Sequence, residues 1–309
     1  MDATDIVILG APVREGAGRR GCDMGPAALR AAGIVETLGA LGHRVEDRGD
    51  LAGPRALPPR RAGNPALRNF AEVVDWAGRI EAATFEASAR GMPVTLGGDH
   101  SLAAGTLPAF ARRARERGRP AFALWLDAHP DFHTLETTTS GNLHGVPLAY
   151  ACGRPGFDGW PAPEVALDPA NVCMIGLRSV DPAERAAVVA AGATAHDMRD
   201  VDEHGVGALV RAFLARVAAA GGELHLSLDV DFLDPSIAPG VGTTVPGGAT
   251  FREAHLVMET VHDCGLLAGL DLVELNPYLD ERGRTARLLA DLAASLLGKR
   301  IFDRPTRGA

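Results

Sequence analysis

The sequence predicts an α/β fold in which a mainly parallel sheet is covered by helices on both faces. Short apolar runs alternate with helical segments along the chain, and parallel strands need such crossovers to connect them. A further observation narrows the place of the site. Several of the apolar runs end in acids and histidines, and in sheets of this kind ligands bind beyond the carboxyl ends of the strands.

The run 5–10, stopped by Gly10-Ala11-Pro12, reads as a buried first strand. A Gly- and Arg-rich loop over 13–25 follows and leads to a helix start at Pro26. That loop lacks both the Gly-x-Gly-x-x-Gly and the Gly-Lys-Ser spacing, which argues against a nucleotide cradle. Residues 53–64, rich in Pro, Gly and Arg, read as a surface loop. Over 67–90 the spacing of Phe70, Val73, Val74, Ala77 and Ile80 gives a helix with one apolar face. The run 93–96 breaks at Gly97-Gly98 and delivers Asp99-His100-Ser101 to a helix over 102–117. The basic stretch 112–119 at its end reads as solvated and complementary to the helix dipole.

A strand over 122–126 runs into Asp127-Ala128-His129-Pro130-Asp131, and a long loop through His133, Ser140, Asn142 and His144 comes next. Residues 153–170 form a Pro/Gly-rich connection to a strand over 172–177. Asp181-Pro182-Ala183-Glu184 then opens a helix, where acids suit the dipole whether or not they bind anything. A helix over 206–219 precedes the strand 224–228, which ends in Asp229-Val230-Asp231. Thr250-Phe251-Arg252-Glu253 is a capping box for the helix reaching His262. A last strand, 269–275, ends at Asn276-Pro277, and a helix over 284–297 closes the chain. No linker-like shift in composition divides it, so residues 1–309 are expected to form one domain.

Composition sets outer limits. With 46% hydrophobic and 23% charged residues the chain is an ordinary globular one. A net charge of −8 argues against nucleic acid as a partner, because that role needs a basic face to neutralise phosphates. No apolar run approaches the roughly 18 residues of a membrane span, and residues 1–6 carry acids without a basic leader pattern, so a cytoplasmic protein is expected. The cysteines Cys22, Cys152, Cys173 and Cys264 are scattered and read as reduced, mostly buried thiols.

Chemistry concentrates at the strand ends. In extended backbone alternate side chains share a face, so Asp127, His129 and Asp131 can converge, whereas a helix would bring only Asp127 and Asp131 together. Carboxylates crowded at the end of an apolar strand repel one another and are costly to desolvate unless something positive lies between them. A single Asp-x-His triplet usually marks an acidic surface turn. Random surface acids, however, are not expected after several separate buried strands. His100, Asp127, His129, Asp131, Asp229 and Asp231 together supply four carboxylates and two imidazoles. A catalytic zinc typically takes three protein ligands; this set balances two divalent ions and favours a hard metal such as manganese. His225, His255 and His262 lie in expected strand or helix and read as structural.

Gly97-Gly98-Asp99-His100-Ser101, Asp127-Ala128-His129-Pro130-Asp131 and the run from Ser227 through Asp229-Val230-Asp231 to Asp234-Pro235 resemble the signatures of the ureohydrolase superfamily. Thr138-Thr139-Ser140-Gly141-Asn142-Leu143-His144-Gly145 and the run Gly176 to Glu184 are most similar to arginases. The resemblance implies a three-layer α/β/α arrangement around about eight strands, and cleavage of the guanidinium group of L-arginine to L-ornithine and urea. It implies two Mn2+ per chain, with Asp127 and Asp229 bridging, His100 and Asp131 completing one ion, and His129 and Asp231 the other. It implies that Glu274 pairs with the guanidinium, that His144 shuttles a proton, and that Asp131 takes part in catalysis. Asp181 is placed at the substrate α-amino group, Ser140 and Asn142 on the α-carboxylate side, and Glu184 and Thr243 elsewhere in the pocket. It also implies a homo-oligomer, a trimer or hexamer, and a mouth closed in part by the 13–25 loop.

One position departs from the pattern. His133 stands where arginases usually carry an asparagine, and it is expected to take over that residue's contact with the α-carboxylate. The alternatives are a ureohydrolase acting on agmatine or a guanidino acid, a single-zinc deacetylase-like hydrolase, and a non-catalytic interaction protein. Ser140, Asn142 and Asp181 favour arginine over the first, and the ligand count disfavours the second. An interaction protein has no reason to keep every ligand.

Overall fold

The computed structural model describes residues 3–54 and 63–302. Its strands are β1 (Asp5–Ala11), β2 (Arg44–Asp50), β3 (Met92–Gly97), β4 (Ala121–Leu126), β5 (Val172–Leu177), β6 (Thr194–Asp197), β7 (Glu223–Asp229) and β8 (Leu267–Val273). They form an eight-stranded sheet in the order β2-β1-β3-β8-β7-β4-β5-β6, and every pairing is parallel. The helices are α1 (Gly25–Ala31), α2 (Ile34–Ala40), α3 (Phe70–Ala87), α4 (Ala103–Glu116), α5 (Pro147–Ala151), α6 (Pro182–Ala191), α7 (Met198–His204), α8 (Val206–Ala219), α9 (Phe251–Cys264) and α10 (Arg284–Leu296).

Alternation along each strand assigns the layers. Ile6, Ile8, Val94, Leu96, Leu124, Leu126, Leu226 and Leu228 bury one face against Leu29, Leu38, Val210, Phe213, Val257 and Leu289 of α1, α2, α8, α9 and α10. The opposite face meets α3, α4, α5 and α6 through residues such as Trp125, Met174, Leu107, Leu148 and Val188, with Phe70, Val74 and Ala104 joining α3 to α4. A sheet buried on both faces needs apolar residues at successive positions, which is what β3, β4, β5 and β7 carry.

Interior elements match the expectations closely, and the capping box at Thr250 and Glu253 is formed. The edge strands were not foreseen. β2 is Arg44-Val-Glu-Asp-Arg-Gly-Asp and β6 is the four-residue Thr194-Ala-His-Asp, both half exposed; charged edges resist unwanted pairing and leave no apolar run to read. The expected loop over 53–64 falls largely outside the described residues. The basic stretch at the end of α4 is not simply solvated: Arg112 lies 3.9 Å from the Phe85 ring centre, Arg117 donates to Ser88 O at 3.0 Å, and Arg119 donates to Gly221 O at 2.9 Å. It ties α4 to α3 and to the approach to β7. No helix among the described residues is long and apolar enough to cross a membrane.

β3, β8, β7 and β4 are consecutive in the middle of the sheet. Their carboxyl ends place Asp99 and His100, Glu274, Asp229 and Asp127 along a single edge.

Candidate metal centre and active site

β3 ends where Gly98 passes against the first loop. Gly98 N donates to Ala11 O at 2.8 Å and Asp99 N to Val13 O at 2.8 Å; a Cβ on Gly98 would overlap Val13 O, so only glycine permits the approach. The chain then enters a short 3-10 turn, His100–Leu102, capped by the Asp99 side chain accepting from Ser101 N at 3.0 Å. Asp99 also accepts from Gly16 N at 2.8 Å and Ala17 N at 3.1 Å, which pins the Gly/Arg-rich loop over the site. Burial, aided by the nearby Glu274 charge, pushes its carboxyl up to about 6.

His100 is fixed from three sides. Its ring stacks on Trp125 at 4.0 Å, its backbone N donates to Glu274 Oε1 at 2.9 Å, and Nε2 meets Ser227 Oγ at 2.8 Å. Nδ1 then faces Asp127 Oδ2 at 3.1 Å, Asp131 Oδ2 at 3.2 Å and Asp229 Oδ2 at 3.2 Å. Burial favours the neutral ring, but the three carboxylates prevail and hold its pKa well above the ordinary value.

His129 Nδ1 is 3.1 Å from Asp231 Oδ2 and 3.5 Å from Asp127 Oδ1. Asp127 therefore turns one oxygen to His100 and the other to His129. Asp231 is itself held: Oδ1 accepts from Ala128 N at 3.0 Å and Oδ2 from Thr243 Oγ1 at 3.0 Å. Arg178, unassigned from sequence, donates to the backbone oxygens of Gly176, Asp231 and Val245 and so clamps this turn from below.

The expected convergence is real, but its backbone is different. Asp127, His129 and Asp131 do not continue the strand in extended form. Asp127 Oδ1 accepts from His129 N at 2.7 Å and Asp229 Oδ1 from Asp231 N at 2.8 Å, so each acid closes a turn on the residue two ahead. Asp131 has φ 47 and Glu274 φ 63, left-handed values rare outside glycine. Backbone held in this region at both acids points to positions fixed by their surroundings.

The donors fit a pair of cations. His100, Asp127 and Asp131 bring ligand atoms within 4.8 Å of one another, as do Asp127, His129 and Asp231, and Asp127 is common to both groups. His100 Nδ1 and Asp127 Oδ2 are buried without a hydrogen-bond partner among the described residues, and such atoms call for something that satisfies them. Asp131 and Asp229 are pushed upward by burial and by neighbouring carboxylates, Asp131 to about 7. Four acids in one buried cluster cannot all ionise without compensating positive charge.

A cavity of about 180 Å3 opens onto this cluster, lined among others by His129, Asp131, His133, Ser140, His144, Asp181, Glu184, Asp229 and Thr243. A larger groove of about 560 Å3 around Phe251 and Arg284 lies away from every one of these donors. His144 lines the cavity, and its Nδ1 is 2.7 Å from Glu274 Oε1 behind it. Burial opposes the imidazolium, yet Glu274 raises His144 to about 10, while burial and then the opposing pull of His144 leave Glu274 below the usual glutamate value. Ser140 Oγ accepts from Asn142 N at 3.2 Å, and the Asn142 side chain lies beside Gly18. Glu184 is buried in the α6 capping box, Oε1 accepting from Phe132 N at 3.1 Å. His133 Nε2 points to Asp181 Oδ2 at 3.2 Å.

The histidines read as structural do lie outside the site. His225, though, has a partner that sequence reasoning missed: Nε2 is 2.8 Å from Asp271 Oδ2, deep between β7 and β8.

A sequence profile of the Arginase family matches residues 4–298. The chain belongs to the arginase family. Within it, an arginase of Brucella melitensis is 62% identical over 97% of this chain and 98% of that protein. An arginase of Bacillus caldovelox is 40% identical over 96% of this chain and 99% of that protein. A solved structure of Bacillus caldovelox arginase superimposes with a TM-score of 0.89 at 38% identity, covering 97% of this chain and 100% of that one. A Burkholderia thailandensis structure described as a hypothetical agmatinase matches less well, with a TM-score of 0.70 at 25% identity over 96% of this chain and 85% of that one. Membership makes the chain a ureohydrolase and implies a binuclear metal site, and the two donor groups sharing Asp127 are clusters that could bind metal.

Proposed function

We propose that this chain hydrolyses L-arginine to L-ornithine and urea, with two Mn2+ held by His100, Asp127, His129, Asp131, Asp229 and Asp231. The observation that carries the reading is the sharing of Asp127 between two donor groups beneath a cavity that also presents Ser140, Asp181 and His144. An oxygen-rich set with two imidazoles supports manganese over softer metals. Bound there, two divalent ions would supply a nucleophilic hydroxide near neutral pH.

The remaining work falls to side chains. Asp181 carries a negative charge suited to the substrate α-ammonium, and Ser140 and Asn142 are proposed on the α-carboxylate side. Thr243 steadies Asp231, and Glu184 steadies the loop at Phe132. The substrate guanidinium is a permanent cation with a planar fork of donors, suited to the Glu274 carboxylate. As it draws on Glu274, the His144 imidazolium loses the partner that holds its proton. An amine departs only when protonated, and His144 is the acid at the cavity wall able to deliver that proton. The ring is left neutral and the product leaves as an amine.

Urea release from arginine, agmatine and several guanidino acids tests the reading. Arginine is expected to be preferred; turnover of agmatine without turnover of arginine would overturn it. Elemental analysis after manganese loading should approach two ions per chain, and full activity at a plateau of one would overturn the binuclear assignment. The same reading includes a single domain over residues 1–309 in a cytoplasmic homo-oligomer, trimer or hexamer, which size-exclusion chromatography with light scattering would check.

A further inference from the structure

His133 is the position at which the chain departs from the arginase pattern, and its surroundings are well defined. The side chain is 12% exposed. Nε2 lies 3.2 Å from Asp181 Oδ2 and 3.4 Å from Glu184 Oε2, and Nδ1 lies 3.0 Å from Thr137 Oγ1. Thr137 Oγ1 already accepts from Thr134 N at 2.9 Å, so its own proton is free to go to Nδ1. That leaves the proton of a neutral ring on Nε2, facing the two carboxylates. Both ring nitrogens are then used. None remains for a substrate carboxylate.

Asp181 is the other half of the relationship. Its side chain is 61% exposed at the cavity rim, whereas Glu184 is only 7% exposed and is anchored by Phe132 N. Asp181 is the N-cap of α6, and its side chain shares the capping box with Glu184. His133 adds a second hold, its Nε2 lying 3.2 Å from Oδ2. An asparagine at 133 is shorter and would not reach.

We infer that His133 is a specificity-determining positioning residue that acts on the amino end of the substrate through Asp181, not on the carboxylate end. The inference rests on the proposed arginine reading. A side chain that fixes Asp181 in the free enzyme removes the ordering cost from the binding step, so its effect falls on KM more than on kcat.

Two arginine analogues separate the ends: agmatine keeps the amine and lacks the carboxylate, and 5-guanidinovalerate keeps the carboxylate and lacks the amine. Each is measured as a competitive inhibitor of arginine hydrolysis by the manganese-loaded enzyme, so neither has to be turned over. In His133→Ala and His133→Asn, the KM for arginine and the Ki of agmatine should rise together by roughly five- to tenfold, about one hydrogen bond's worth, with kcat within about twofold. The Ki of 5-guanidinovalerate should stay within about twofold. His133→Gln, whose longer amide can still donate to Asp181, should recover most of the loss. Metal content near two ions per chain and an unchanged circular dichroism spectrum establish that the variants are folded and loaded. A selective loss for 5-guanidinovalerate with agmatine spared would overturn the inference in favour of direct carboxylate contact. Equal losses, or none, for both analogues would reduce His133 to a structural role. A third metal equivalent in the wild type that disappears in His133→Asn would make the His133, Asp181 and Glu184 group a cation site instead. Failure of the wild type to release urea from arginine would count against the proposed function, whereas the inference stands or falls on the pattern among variants.

Discussion

His144 Nδ1 lies 2.7 Å from Glu274 Oε1, so the ring at the cavity wall and the carboxylate buried behind it form one ion pair. The resemblance to arginases implies separate tasks for these residues, one holding the guanidinium and the other carrying a proton. The geometry makes them a single device, because whatever occupies Glu274 alters the proton affinity of His144.

The first prediction concerns that coupling. Glu274 raises His144 to about 10 against the opposing effect of burial. Glu274→Gln should therefore lower the His144 pKa by more than a unit, read by NMR titration of the metal-free protein. The sign for stability follows: a histidine raised in the folded state contributes stability that is complete below about pH 6.5 and lost as pH rises through about 10. Wild type should lose this contribution on the alkaline side, and Glu274→Gln should not. No change in the His144 titration would disprove the coupling.

Removal of His144 itself should act on turnover and not on metal content, since His144 ligates nothing in either donor group. His144→Ala is expected to lower kcat on the order of a hundredfold, within the usual range for loss of a general acid, with two ions per chain retained. Added imidazole should restore part of the rate. Unchanged turnover would take His144 out of the mechanism.

Metal retention should depend on pH in a set direction. In the metal-free protein burial and the Asp127 charge push Asp131 up to about 7, so protons compete with cations for this ligand as pH falls through that value. The gain in Tm on adding manganese should accordingly shrink between pH 8 and pH 5.5. Asp229→Ala should abolish most of the gain at both ends and leave negligible hydrolysis. A gain that grows on acidification would contradict the assignment.

Asp99 should matter to the mouth as well as to the fold. Its carboxylate accepts from Gly16 N, Ala17 N and Ser101 N, and Asp99→Ala leaves these amides without their partner at a cost of about 1–3 kcal/mol for the first of them. Urea denaturation should register that loss, and KM for arginine should rise as the 13–25 loop loosens. Asp99→Asn keeps an acceptor oxygen and should recover part of both. An unaltered KM in Asp99→Ala would detach the loop from substrate binding.

What could be read from the sequence differs between kinds of residue. Apolar runs such as Leu124-Trp125-Leu126 announce buried strands because burial on both faces requires them, and the acids that follow were legible because they follow such runs. The polar edges β2 and β6 carry no such signal. Strand alternation predicts that Asp127 and Asp131 converge, yet they do so through a turn that the Asp127 side chain closes on His129 N and through the left-handed backbone of Asp131, a detail that residue type alone does not distinguish. Arg178 was visible only as part of a motif, since its contacts are to backbone oxygens distant in sequence. The pairing of His133 with Asp181 joins residues 48 apart, and it depends on how the loop and α6 meet.

The order β3-β8-β7-β4 has a consequence for how the protein comes into being. β3 and β4 are neighbours in the chain but not in space; the two strands between them are the last to be synthesised. Asp229 arrives with the first of these and Glu274 just after the second. A nascent or truncated chain that ends before β7 thus has His100, Asp127, His129 and Asp131 but lacks Asp229, Asp231 and the two strands that lie between β3 and β4. The donor set proposed for the two ions is thus completed by the last part of the chain, which fills the middle of the sheet between two strands made much earlier.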